Sequence, residues 1–354
     1  MRIVIFGLSV SSAWGNGHAT LWRSLISALD AARHEVVFFE RDTPFYRMHR
    51  DLPELDGHAK LQLYQSWEAI RDLALEVANT ADAAIVTSYC ADGREASALV
   101  FGSRARIRVF YDLDTPVTLS KIESGEEVPY LPTEGLGEFD LVLSFTGGRA
   151  LDLLRDRLGA KRVACLYGSV DPASHRPVEP DQLWTAACSY LGTWSEDRRH
   201  ALEALFIEPA RRRPHPFVMG GAMYPPDVVL PWNIARFEHV PPPRHPAFYC
   251  SSPLTVSVTR APMAALGYCP SGRLFEAAAC GVPVLSDWWE GIEQFFTPGE
   301  EILLGVSSDD ALDAIEAPRG ELERIGRRAR ERALDEHSGT RRAAELVALL
   351  GAST

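Results

Sequence analysis

The sequence predicts an α/β protein made of two doubly wound units in tandem, and three observations carry that prediction. Short aliphatic or β-branched runs alternate with stretches of helical periodicity along most of the chain. A polar stretch punctuated by proline, residues 171–181, interrupts the alternation near its middle and reads as a linker. Beyond it the alternation restarts. At 354 residues the chain is long for one core and comfortable for two, since single cores stop growing near roughly 250–300 residues.

In the first half, residues 3–6 form a buried strand. After a glycine-containing loop, Leu21, Leu25, Ile26 and Leu29 recur at helical spacing. Residues 35–39 form a second strand, residues 61–77 are amphipathic, and 83–86, 107–111, 141–143 and 163–166 supply further strands. In the second half, 186–191 is a strand, and Ser195 is placed to cap a helix running to about Phe206. Strands come next at 217–219 and 254–258, then a short helix at 273–280 stopped by Gly281, a strand at 282–286 and two terminal helices. These elements set domain limits of 1–181 and 182–337, with 338–354 a helix returning to the first domain. Ligands on such sheets bind at the carboxyl ends of strands, and two units facing one another leave a cleft.

Composition excludes several classes. The apolar and charged fractions, 46% and 24%, are those of an ordinary globular protein. The apolar runs are strand-length, far short of a bilayer span, and no signal peptide is visible. A net charge of −12 argues against a nucleic-acid partner, which calls for a basic stripe. Only Lys60, Lys121 and Lys161 are lysines, so a phosphate-binding cation here is an arginine. The cysteines (Cys90, Cys165, Cys188, Cys250, Cys269, Cys280) show no CxxC and no metal spacing, and read as thiols of a reducing cytoplasm.

The strongest chemical signal is Gly267-Tyr-Cys-Pro-Ser-Gly-Arg-Leu-Phe-Glu-Ala-Ala-Ala-Cys-Gly-Val-Pro-Val-Leu-Ser-Asp287, which reads loop, helix, glycine stop, strand. A helix beginning near Ser271 aims free N–H groups and a positive dipole end at whatever precedes it, which favours phosphate. Arg273 in the first turn opposes that dipole unless an anion shares the site. Glu276, one turn on, can accept two hydrogen bonds from a ribose diol. Leu274 lies between them on the same helix.

This segment resembles the nucleotide-binding region of group 1 glycosyltransferases, and more closely that of the spore-maturation CgeB-type family. The likeness extends through Gly7-Leu-Ser, Trp14-Gly-Asn-Gly-His-Ala-Thr20, Glu40-Arg-Asp42, Asp112-Leu-Asp-Thr-Pro-Val-Thr-Leu119, Ser144-Phe-Thr-Gly-Gly148, Tyr190-Leu-Gly-Thr193 and Val258-Thr-Arg260. It implies a GT-B fold of two Rossmann-like domains and transfer of a sugar from a nucleotide-diphosphate sugar, with no cofactor besides that co-substrate. The acceptor, whether small molecule, glycan or protein, is left open. Many retaining enzymes of this fold carry two glutamates eight positions apart. Glu276 matches the second, but Tyr268 stands at the first, so stereochemistry is not inherited.

Position adds further donor-side candidates: Gly192 and Thr193 after a strand, Arg198 in the next helical turn, and Arg260 beyond another strand. On the acceptor side, Gly15, Asn16 and Gly17 form the loop before the first helix, but GxGxxG fails because Thr20 takes its third position. His18 starts that helix, where the dipole disfavours a cation, and a neutral imidazole there can take a proton from an acceptor hydroxyl. Asp112-Leu-Asp114 spells the DxD used elsewhere to hold Mn²⁺ or Mg²⁺. Asp114 is instead expected at its strand's carboxyl end near His18, with Thr146 and Gly147 on the same rim and no metal. Rival readings are a nucleotide-sugar 2-epimerase, a NAD-dependent oxidoreductase, and a nucleotide-sugar-binding protein without turnover.

Overall fold

The computed structural model describes residues 1–352. Its contacts divide the chain into one unit of residues 1–168 joined by the terminal helix Gly339–Gly351, and a second unit, Ser169–Ser338. The polar stretch 171–181 therefore belongs to the second unit instead of closing the first.

The first unit is a seven-stranded parallel sheet. Its strands are β1 (Arg2–Gly7), β2 (Glu35–Arg41), β3 (Lys60–Tyr64), β4 (Ala83–Thr87), β5 (Ile107–Asp112), β6 (Leu141–Ser144) and β7 (Val163–Cys165), in the order β3-β2-β1-β4-β5-β6-β7. β1 and β4 are buried on both faces, as aliphatic runs in a helix-covered parallel sheet should be. The chain steps outward from β1 to β2 and β3, then crosses back to β4 beside β1. That reversal is the switch point at which the loops diverge and leave room for a ligand. The amphipathic stretch 61–77 divides in two. Leu61 and Leu63 alternate within β3, and Ser66 accepts from the Ala69 amide to start the helix Trp67–Ala78.

Trp22, on the helix Gly17–Ala31, packs edge-on against Phe38 and Tyr111, and Phe6 stacks on Phe39 at 5.0 Å. The terminal helix lies along Gly17–Ala31. A side chain at Gly339 would meet the Ser24 carbonyl oxygen at 2.7 Å, so only glycine permits that approach. Arg342 donates to the Gly168 carbonyl at 3.1 Å and Arg162 to the Leu349 carbonyl at 3.2 Å, fastening the helix at both ends.

The second unit is a six-stranded parallel sheet of β8 (Cys188–Leu191), β9 (Phe217–Gly220), β10 (Ile234–Phe237), β11 (Thr255–Ser257), β12 (Val284–Ser286) and β13 (Leu303–Leu304), ordered β10-β9-β8-β11-β12-β13. Its core joins Tyr190, Leu205, Phe206, Phe217, Leu254 and Leu285. Ser195 begins a helical run but does not cap it, because its hydroxyl donates to Asp197 at 2.8 Å. The run continues past Phe206 to Arg212 through a wider π-helical turn, Glu203–Ile207. The helix Gly272–Ala279 ends as expected, with Gly281 in the left-handed region at φ 75°. Among the described residues no helix is long and apolar enough to cross a membrane.

Candidate functional site

In the first unit, the loop after β1 is organised by one carboxylate. Glu40, near the end of β2 and fully buried, accepts from the Ser9 and Ser11 hydroxyls at 2.8 and 2.6 Å. It also accepts from the Val10 and Ser11 amides at 2.8 and 3.0 Å. Four charge-assisted bonds make this loop a rigid frame for the start of the helix Gly17–Ala31. Asn16 completes it. Its Oδ1 accepts from the His18 amide at 3.0 Å, and its Nδ2 donates to the Ser9 and Ser12 carbonyls, each at 3.0 Å. Asn16 is thus a buried helix cap, and its polar atoms serve the loop instead of a ligand. Gly15 supplies a positive φ of 62° to the turn, whereas a side chain at Gly17 would meet nothing within 4 Å.

The frame aims His18 at the loop after β5. His18 Nε2 lies 2.6 Å from Asp114 Oδ2, although the residues are 96 positions apart and β4 separates their strands. The carboxylate fixes the tautomer: Nε2–H donates to Asp114, and the lone pair sits on Nδ1, which is buried and has no hydrogen-bond partner in the protein. The edge of the Tyr89 ring flanks the imidazole at 5.9 Å, and Tyr89 holds a left-handed φ of 60° that tyrosine rarely adopts. Asp112 plays a different part. It is fully buried, its Oδ1 accepts from the Asp114 amide at 3.0 Å, and burial pushes its carboxyl up to about 6. Asp112 is enclosed, whereas Asp114 pairs with His18. Thr146 and Gly147 are buried as well. The Thr146 amide donates to the Ser144 hydroxyl, which donates to the Thr146 carbonyl, so these two residues shape the exit of β6, and exposure begins at Gly148.

In the second unit, three arginines gather at the carboxyl ends of β8 and β11. Arg273 turns back from the helix start and donates to the Leu191 carbonyl at 2.6 Å, the Val258 carbonyl at 3.2 Å and the Ser271 hydroxyl at 3.1 Å. Its guanidinium occupies the space beside Gly192, where a side chain would come within 2.3 Å of Nη1. Ser271 therefore orients Arg273 and does not cap its own helix. Leu274 offers its amide to the Ser271 carbonyl and its side chain to the core. Arg260 is bound through Nε to Asp197 at 2.9 Å. Arg198 donates to the Thr193 carbonyl at 2.9 Å, while its Nε is buried without a partner. Burial, then the neighbouring Arg273 and Arg260, push Arg198 down to about 10. Asp197 thus pairs with Arg260, while Glu276 and Asp287 lie within electrostatic reach of Arg273, and guanidinium groups gathered at strand ends are suited to diphosphate oxygens. Asp197 itself carried no motif; its signal was only an acidic residue in a first helical turn.

Glu276, 6% exposed, faces away from bulk solvent. The Tyr249 hydroxyl donates to its Oε2 at 3.3 Å, and His245 Nδ1 lies 3.8 Å from the same oxygen. Burial pushes His245 down to about 4, so its ring is neutral at neutral pH.

Comparison with known proteins bears on this geometry. Among curated proteins none matches the chain. Among solved structures, a sucrose-phosphate synthase from Thermosynechococcus elongatus superposes with a TM-score of 0.71 at 15% identity, covering 100% of both chains. HepE from Anabaena, in complex with UDP and glucose, gives 0.66 at 13% identity over 99% of this chain and 100% of its own. An alpha-glucosyltransferase in complex with UDP and a mismatched 13-mer DNA gives 0.68 at 13% identity, over 99% of each. The fold is therefore the GT-B fold, and residues 198–348, which include Arg198, Arg260, Arg273 and Glu276, match the family described as glycosyl transferase-like.

Proposed function

We propose that the protein is a glycosyltransferase that takes a nucleoside-diphosphate sugar as donor and a hydroxyl group as acceptor. The observation that carries this reading is the arginine cluster, three guanidinium groups gathered at the carboxyl ends of β8 and β11 with the Arg198 Nε enclosed and without a partner. A diphosphate bonds these guanidinium groups without an obligatory metal. As the bond from the sugar C1 to the phosphate oxygen breaks, its electron pair stays on the departing diphosphate, where Arg198 and Arg273 stabilise it. The acceptor oxygen bonds to C1 and its hydroxyl proton passes to the His18–Asp114 pair. Asp114 holds Nε2–H and stabilises the imidazolium that forms. Glu276 receives the ribose diol. The sequence match over residues 198–348 and the complexes of similar folds with UDP support this assignment.

At the finer level we assign the chain to the CgeB-type branch and to the cytoplasm, on the motif runs in both halves and on six cysteines that are all free thiols. The test is a thermal-shift screen against nucleoside diphosphates, nucleotide sugars and NAD. A ligand at 100 times its Kd adds about 2.7 kcal/mol of stability. Stabilisation by a nucleoside diphosphate is expected, and release of that diphosphate from its nucleotide sugar when an acceptor is added. Stabilisation by NAD alone would overturn the reading.

A further inference from the structure

Beside the donor residues, the second unit encloses a cluster that shares Glu276 with them and adds two histidines that the transfer reaction does not use. His175, His245 and Glu276 each bring one ligand atom to within 4.8 Å of the others. His175 is 6% exposed, and neither of its ring nitrogens has a hydrogen-bond partner. His245 donates from Nε2 to the Val240 carbonyl at 3.0 Å, which leaves the lone pair on Nδ1. That nitrogen is also buried without a partner, and it faces Glu276 Oε2 at 3.8 Å. A bare imidazole nitrogen and a carboxylate oxygen thus face each other, and the second imidazole lies alongside. An enclosed arrangement of this kind is unfavourable by itself and is relieved by a cation.

We propose that His175, His245 and Glu276 form a binding site for a divalent transition metal of the zinc class. Two neutral imidazoles and a carboxylate are a zinc donor set, whereas Mg²⁺ and Ca²⁺ take oxygen ligands. The bond from His245 Nε2 to a backbone carbonyl is the outer contact that orients a ligating imidazole. Zinc–ligand distances of about 2.0–2.2 Å place ligand atoms roughly 3.4 Å apart, so the cluster closes by about an ångström on binding. His175 can supply that movement because it sits on a turn, its amide bonded to the Asp171 carbonyl at 2.8 Å, and not within a helix or strand. Glu276 Oε2 serves the metal while Oε1 serves the nucleotide, so the metal's role is to fix the carboxylate and join the turn to the helices carrying His245 and Glu276.

The experiment is metal analysis of the full chain purified without chelators, followed by titration of the stripped protein with Zn²⁺ against a chromophoric chelator. One zinc per chain is expected, with tetrahedral Co²⁺ absorption on substitution. His175→Ala should lower zinc affinity at least tenfold. If that variant does not fold, His175→Gln reads the same loss. Absence of stoichiometric zinc binding, or undiminished affinity in a folded His175 variant, overturns the proposal. Because zinc uptake is measured without nucleotide, its failure leaves the donor reading standing.

Discussion

His18 Nε2 and Asp114 Oδ2 meet at 2.6 Å across the first unit's sheet, so that one carboxylate decides which imidazole nitrogen carries the proton. In the proposed reaction the His18–Asp114 pair receives the acceptor's proton. His18→Ala should therefore lower kcat at least about tenfold, near 1.4 kcal/mol of barrier, with little change in nucleoside diphosphate affinity. Asp114→Asn should lower kcat in the same way, since an amide can favour the other tautomer. Turnover and binding measured on the same variants check this, and full turnover by His18→Ala would reduce the pair to a helix-start contact.

Glu276→Ala should weaken nucleoside diphosphate binding by about 1.5–3 kcal/mol, the scale of charge-assisted hydrogen bonds. The burial of Glu276 adds a second expectation, because truncation strips the Tyr249 hydroxyl of its acceptor. A lowered melting temperature should accompany the weaker binding. Calorimetry reads the first effect and thermal melting the second; unchanged nucleotide affinity would remove Glu276 from the donor site.

Arg198 should show opposite signs for stability and for binding. As a base with its folded value pushed down to about 10, its charged form is penalised in the folded state. That penalty holds at every pH below about 10 and fades as pH rises through it. Arg198→Leu should leave the nucleotide-free melting temperature unchanged or higher, while nucleoside diphosphate affinity falls at least tenfold. Adding Mg²⁺ or Mn²⁺ should leave the wild-type affinity unchanged. Full affinity in the variant, or affinity that needs the metal, would remove the arginine cluster from the diphosphate.

Asp112 makes stability depend on pH. Its folded value of about 6 lies above the ordinary 3.8, so the folded state binds the proton more tightly than the unfolded chain. The contribution is fully present below pH 4 and is lost as pH rises through 6. Asp112→Asn should abolish this decline and stabilise the protein at pH 7.5 by on the order of 2 kcal/mol. Denaturant melts at pH 4.5 and 7.5 check it; an equal pH dependence in the variant would exclude Asp112 as its source.

Much of this architecture was legible in the sequence. Aliphatic runs marked most strands, because a parallel sheet buried on both faces demands them at every position. The segment 267–287 marked the phosphate-facing helix, and simple position at strand ends brought Arg198, Arg260 and Arg273 together. The rest depended on pairings between distant residues. Asp197, which stands in no recognisable motif, answers Arg260 from 63 positions away, and Glu40, although part of the run Glu40-Arg-Asp42, grips serines about 30 positions earlier that its own run does not announce. β10 escaped notice because two of its four residues are exposed, and β13 because it is only two residues long. The histidine cluster was invisible for the same reason as Asp197: sheet order alone decides that His175, His245 and Glu276 become neighbours.

The return of the helix Gly339–Gly351 to Gly17–Ala31 sets an order of events during synthesis. The first unit begins the chain, yet its outer layer waits for residues that emerge after the whole of 169–338. The second unit can complete its core earlier, while the apolar side of Gly17–Ala31 remains uncovered on the ribosome and open to chaperones. Biogenesis of the helix that carries His18 thus ends with the docking of a segment more than three hundred residues downstream, with Gly339 the contact point that lets it close.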